Sequence, residues 1–320
     1  LDMRNIDSWN LSKLDLEATR LQVDDVIQQI LEGILYAYFN HWRNERRLDL
    51  IDTNLERDRL LLQIARDQQD AGVATNLDVT RAEVQLAGNQ LARLQQETTV
   101  LESALNLKRI LNYPQDAELI LKEEPVSANA DASVFTAARF ESILGQRADY
   151  QQMMKELERE ELATKASKRE HLPSLELAGQ WGYASETVAD DMKEQWAIQL
   201  GVSMPIFEGF RIQSQTRAQE SIVRQKEIQL EELRDQIESD YRLALQNIRS
   251  SVQQVEVSRR TLSLSEREFE LARIRFEEGV ADNSDVVVAQ ASLANAEDTL
   301  VEAEFYYVLA LVNLARVEGN

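Results

Sequence analysis

Cysteine is absent from the 320 residues of this chain, which excludes disulfides, thiolate metal sites, a cysteine nucleophile and a lipidated cysteine within them. Proline occurs four times and glycine ten, too few breaks for an all-strand or alternating α/β protein. Histidine occurs only as His41 and His171, which read as ordinary polar residues on a helix and at a strand entrance. No metal-ligand spacing, phosphate-cradling glycine loop or converging carboxylate pair appears, so neither an enzyme nor a cofactor is expected. No run approaches the roughly 18 to 20 apolar residues of a transmembrane helix. Basic charge is also scarce: 35 basic against 56 acidic residues leave a formal charge of −21, which repels phosphate backbones and argues against nucleic acid.

What is present is helical. Ala, Leu, Glu, Gln and Arg dominate, and 43% of the residues are hydrophobic, enough to bury a core. Residues 66–86, RDQQDAGVATNLDVTRAEVQL, align without a gap on 273–293, RIRFEEGVADNSDVVVAQASL, at an offset of 207. Gly72/Gly279, Val73/Val280, Asn76/Asn283, Asp78/Asp285, Val79/Val286, Ala82/Ala289 and Leu86/Leu293 are identical pairs, and the same offset matches Ala37 with Ala244. This is an internal duplication.

Each copy reads as a helical hairpin. Leu233, Ile237, Tyr241, Ala244, Ile248, Val252 and Val255 are spaced by threes and fours along one apolar stripe with an eleven-residue step. Gly72 and Gly279 stop one helix in the left-handed conformation; Thr75, Asn76, Asn283 and Ser284 are candidate caps of the next. Asp78 and Asp285 fall in or beside the first helical turn, where the macrodipole favours a carboxylate; capping is one reading of both and a functional acidic site the other. Uninterrupted helices are expected over about 11–70 and 211–276, each roughly 90 to 100 Å long at 1.5 Å per residue. Rods of that length must lie side by side, within the chain or between copies. An irregular connection is expected over 113–147 and a further helix over about 148–170.

Between the duplicated hairpins the period changes to two. In HLPSLELAGQWGY (171–183), Leu175, Leu177, Trp181 and Tyr183 share one face; in WAIQLGVSMPIF (196–207), Trp196, Ile198, Leu200, Val202, Met204 and Ile206 do the same. Runs of 9 to 11 residues with aromatics at their loop ends suit a transmembrane β-barrel, with the acidic loop from Ser185 to Glu194 in water. A soluble hairpin packed on helices is the other reading. Two strands cannot close a barrel, so a membrane role requires strands from elsewhere.

The duplicated turns, together with HLPSLEL and VSMPIFEGFR, resemble the TolC family of outer-membrane efflux proteins, the channel-tunnels of Gram-negative bacteria, over nearly the whole chain. The resemblance implies a mainly α fold with a small β part: long antiparallel helical hairpins in two repeats, a trimeric α-barrel across the periplasm, and a β-hairpin contribution to one outer-membrane barrel. Residues 11–112 and 208–316 would be the two hairpins, with tips near 71–78 and 278–285, and 171–207 the β-hairpin. Residues 1–10, LDMRNIDSWN, would end a first strand pair. The implied function is a passive exit duct for a tripartite efflux pump or type I secretion system, working as a homotrimer with a periplasmic adaptor, an inner-membrane pump or ABC transporter, and outer-membrane lipid. Gly72, Val73, Gly279 and Val280 would be adaptor-docking tips; Asp285, Asp78 and Phe276 would belong to the pore constriction; Trp181, Tyr183 and Trp196 would be membrane-interface aromatics. In the family's constriction network an arginine stands where this chain has Ala281, a tyrosine at Phe276 and a second aspartate at Val288. The alternative is a soluble elongated scaffold with duplicated docking tips.

Overall fold

The computed structural model describes residues 3–122, 136–184, 193–280 and 283–319. Among these residues, six helices and one hairpin follow in the order α1 (Met3–Asp70), α2 (Asn76–Ile110), α3 (Ala137–Gln146), α4 (Ala148–Arg169), β1 (Ser174–Ala184), β2 (Lys193–Ser203), α5 (Arg211–Glu277) and α6 (Asn283–Val317). The chain divides into two compact units, one of residues 1–27, 137–239 and 319, the other of 28–136, 240–318 and 320.

In the second unit, α1 and α2 form one antiparallel hairpin and α5 and α6 the other, as the duplication predicts. Both turns close in the same way. The Gly72 N–H donates to the Gln69 carbonyl and the Val73 N–H to that of Gln68, both at 2.9 Å; 207 residues on, Gly279 donates to Phe276 and Val280 to Arg275, again at 2.9 Å. Each glycine sits in left-handed backbone, at φ 76° and 72°. This is the Schellman ending, which satisfies carbonyls that the last helical turn leaves unpaired.

Polar contacts fix the order of the four helices. Arg93 pairs with Asp52 and Arg66 with Glu83 between α2 and α1. Arg47 reaches Asp298 and Glu302, and Arg57 reaches Glu297, between α1 and α6. Arg259 meets Glu304 between α5 and α6. Away from the tips the order is therefore α2, α1, α6, α5, with the two hairpins joined through α1 and α6; at the tips α2 also meets α6. Near the tips all four helices share one core, built from Leu61, Leu62 and Ala65 of α1, Val79 and Ala82 of α2, Phe269 and Phe276 of α5, and Val286, Ala289 and Leu293 of α6. The eleven-residue stripe is buried where it was expected, with Ile237, Tyr241, Ala244, Ile248 and Val255 all inside.

In the first unit, Phe140, Ile143 and Leu144 of α3 are buried, and Arg234 of α5 lies over the Phe140 ring while pairing with Glu141. The expected irregular connection thus contains a helix: AARFESILGQ is a short amphipathic segment whose apolar residues at positions 4, 7 and 8 make one face. The expected strand end over 1–10 is overturned as well. From Met3 onward these residues are helical, and buried Asp7 pairs with Arg169 of α4 at 2.6 Å. Helical continuity into α1, with no Gly or Pro to interrupt it, prevails over the expected strand.

The β-hairpin pairs antiparallel without a bulge from Ser174↔Ser203 to Ala184↔Lys193. Its register puts Leu175 opposite Val202, Leu177 opposite Leu200, and Trp181 opposite Trp196. Since side chains alternate faces along a strand, these share one face; Glu176, Gln180, Gln195 and Gln199 occupy the other. Pairing stops short of the predicted limits because Pro173 and Pro205 flank it, and proline has no N–H for the ladder. Met204 and Ile206 therefore lie beyond the paired strand. The apolar residues Leu177, Trp181, Trp196, Ile198, Leu200 and Val202 are exposed, and the Trp181 indole N–H donates to Glu194. Residues 185–192, which make up most of the expected acidic loop, and the side chain of Tyr183 lie outside the described residues.

A Cβ added at Gly279 would meet Val73 Cγ1 at 3.3 Å, whereas one at Gly72 would meet nothing. Gly72→Ala should cost about 1 kcal/mol for left-handed backbone alone. Gly279→Ala should cost measurably more, read as a lower urea midpoint; equal midpoints would mean that Val73 does not pack against the second tip.

Candidate functional site

The two hairpin tips converge. Val73 of the first lies against Gly279 of the second, the Gln68 side-chain amide donates to the Phe276 carbonyl, and Asn283 Nδ2 donates to the Asp78 carbonyl at 2.8 Å. Side-chain amides thus bridge the tips by gripping backbone. Asn283 is fully buried, while the equivalent Asn76 opens α2 as an exposed residue.

The duplicated aspartates part company. Asp78 Oδ2 accepts from the Thr75 N–H at 2.8 Å and from the Thr75 hydroxyl at 2.6 Å, with Arg81 3.8 Å from Oδ1. These bonds to Thr75 hold its carboxyl below the usual carboxylate range. Asp78 is therefore a capping carboxylate, with its charge turned back into its own helix. Asp285 is exposed in the first turn of α6, and Val288, one turn on, is 62% exposed beside it. Ala281, where the family has its arginine, lies outside the described residues.

Phe276 departs from expectation. Its ring is 2% exposed in the four-helix core, so it packs the hairpins together and cannot line a pore. An aromatic at this point of an apolar stripe belongs inside, whatever hydroxyl a relative carries there. Val73 and Val280 are exposed apolar residues at the two tips, on a surface a partner can reach.

A polar node that sequence reasoning missed lies below this core. Asp58 of α1 is 1% exposed and accepts from Asn89 of α2 at 2.6 Å and from Gln290 of α6 at 2.5 Å. Burial raises its carboxyl above the ordinary range, more than those two bonds and nearby Arg57 lower it. The three residues are 31 and 232 positions apart, with no spacing signal among them. His41 is buried too: its Nδ1 meets Ser103 Oγ at 2.9 Å, and burial, with Lys108 nearby, lowers its pKa. The Ser103 hydroxyl already donates to the Val100 carbonyl, so His41 serves as a structural donor.

Residues 140–320 match the family model of the outer membrane efflux protein, 181 of 320 residues, and the chain belongs to that family. The fusaric acid resistance protein FusA of Burkholderia cepacia is 25% identical over 226 residues, covering 69% of this chain and 41% of that protein. The chain thus spans about two-fifths of the length of this curated relative. The outer membrane protein VceC of Vibrio cholerae has the same fold at a TM-score of 0.82 and 17% identity, covering 99% of this chain and 76% of VceC. The Neisseria gonorrhoeae MtrE outer membrane channel, solved in its open state, gives a TM-score of 0.83 at 18% identity over 97% and 71%.

Truncating Phe276 to Ala should remove about 3 to 5 kcal/mol of stability, as for a fully buried aromatic ring. Asp285→Ala, at an exposed site, should change stability by less than about 0.5 kcal/mol. Chemical denaturation of both variants checks the assignment, and a neutral Phe276→Ala would return Phe276 to the pore.

Proposed function

We propose that this chain is the exit-duct subunit of a tripartite efflux pump or type I secretion system, acting as a homotrimer in the Gram-negative outer membrane and hydrolysing nothing itself. The observation that carries this reading is that the four-helix layer is unfinished at both edges. On α2, Leu77, Val84, Leu91 and Leu105 are exposed at multiples of seven residues. On α5, the opposite edge, so are Leu243, Val257, Leu264 and Leu271. A seven-residue apolar seam suits a second helix coiled against it. Within one chain the two seams lie at opposite edges and do not meet. Other copies would supply the missing helices, edge α2 of one against edge α5 of the next, a head-to-tail contact that closes into a ring.

The β-hairpin supports the membrane end of the duct. One of its faces is apolar, both edges are open, and 11 residues at about 3.3 Å each span roughly 36 Å. Tilted by about 45°, that length matches the roughly 25 Å apolar band of an outer-membrane barrel. Trp181 and Trp196, paired across the strands near the loop, would sit in an interfacial aromatic belt. A soluble scaffold would have no use for this exposed face.

The converging tips would form the periplasmic mouth. Gly72, Val73, Gly279 and Val280 would offer six similar apolar points to an adaptor protein, with energy supplied by an inner-membrane pump or ABC transporter. Because Asp78 is committed to its cap, Asp285 carries the acidic ring, which would draw cations to the constriction. FusA is named for fusaric acid resistance; export of a small organic acid is the corresponding substrate reading here.

In a planar bilayer the full-length protein should conduct with cation selectivity, and Asp285→Ala should reduce that selectivity while leaving assembly intact. Unchanged selectivity would place Asp285 away from the constriction.

A further inference from the structure

Asp58 is the point at which one side chain holds three helices. Its Oδ2 takes the Asn89 amide of α2 and its Oδ1 the Gln290 amide of α6, while the carboxylate itself belongs to α1. The bond to Gln290 crosses from one hairpin to the other. Asp58 is 1% exposed, and the core cluster containing Leu61 and Leu62 begins one turn farther along α1. The charged group acting on Asp58 is Arg57 of its own helix, which is occupied by Glu297 of α6 at 2.6 Å; α2 and α6 present the neutral amides of Asn89 and Gln290.

Gln290 Oε1 is buried and has no hydrogen-bond partner. An ionised Asp58 cannot serve it, because a carboxylate only accepts. A protonated Asp58 can: after rotation of the Gln290 amide, the new O–H donates to Oε1. The node therefore has two arrangements, a buried charge with the Gln290 carbonyl unpaired, or a neutral acid with that carbonyl satisfied and the amide NH2 left in its place. Each arrangement leaves one group of Gln290 unpaired, so the buried charge separates them, and the second arrangement removes it.

We propose that Asp58 is a proton-linked clasp between the hairpins: parting α6 from α1 exposes it to water and releases a proton, so acid holds the two helices together. The raised pKa has the matching sign. A carboxyl that binds its proton more tightly when enclosed favours opening above its enclosed pKa, where its charge is buried, and loses that effect as pH falls through the window down to its exposed pKa, about 3.9. The clasp stands on the geometry alone. Its consequence, a duct whose periplasmic mouth opens less readily in acid, rests on the reading of the chain as a duct.

Amide hydrogen exchange of the full-length protein in mild detergent, corrected for the intrinsic pH dependence of exchange, tests the clasp. Peptides covering 286–298 should become better protected as pH falls from about 7 to about 4.5, by up to tenfold per pH unit inside the window. Asp58→Asn supplies a permanent donor for Gln290 Oε1 while still accepting from Asn89, so it should be protected throughout and lack this response. A wild type without the response, or an Asp58→Asn protein that keeps it, overturns the proposal. Should Asp58→Asn fail to fold, Gln290→Leu removes one donor to the ionised carboxylate and should move the response to higher pH; an unmoved midpoint is equally fatal. Conductance recorded on the same samples separates the two readings. An exchange response without channels would sink the duct and leave the clasp, and channels without the response would do the reverse.

Discussion

The seam between α1 and α6 is the contact on which the rest of the structure depends. A duplicated hairpin yields two similar rods, and nothing in either rod dictates how they lie together. Near the tips the answer is hydrophobic, with Phe276, Val286 and Leu293 of the second hairpin packed on Leu61, Leu62 and Ala65 of the first. Farther from the tips it becomes electrostatic: Arg57 meets Glu297, and Arg47 meets Asp298 and Glu302. Such partly exposed pairs contribute modestly, so the apolar core supplies most of the stability and the arginines set the register. With α1 and α6 committed inward, α2 and α5 are left as open edges, and the tips are brought side by side.

That arrangement gives the two copies of one motif different tasks. Asp78 closes its own cap through Thr75, whereas the equivalent Asp285 is exposed. Asn76 is exposed at the start of α2, whereas Asn283 is buried and grips the Asp78 carbonyl. Duplication supplied identical residues, and their position relative to the α1–α6 seam sorted them into capping, bridging and free charge.

Much of this was legible from sequence because it is local. A glycine that ends a helix, a stripe spaced by threes and fours, and an alternation of period two are each written within a few residues, and the four long helices, both tips and the β-hairpin follow from them. The strand limits were missed by a few residues where Pro173 and Pro205 remove a donor, a constraint the alternation of side chains does not register. Helix α3 was missed because ten residues give barely two apolar turns, and its stability comes from burying Phe140 beneath Arg234. The opening residues were misread because Asp7 finds its partner, Arg169, 162 positions away. Phe276 was assigned by position in a family motif, and the apolar stripe to which it belongs buries it. The Asp58 node and the arginine ladder had no signal at all, since pairings across more than 200 residues leave no spacing in one sequence. The seven-residue edge of α5 was in plain view, but it shares its helix with the eleven-residue stripe, and only burial tells the two apart.

The central claim is that the open edges α2 and α5 are completed by further copies of the chain. The protein-only mass of the full-length mature polypeptide in mild detergent, taken by light scattering, tests it most directly. Three protomers is the predicted result. A monomer or dimer that is monodisperse with or without detergent would contradict it, and would leave the exposed seams and the apolar strand face without a duct to build.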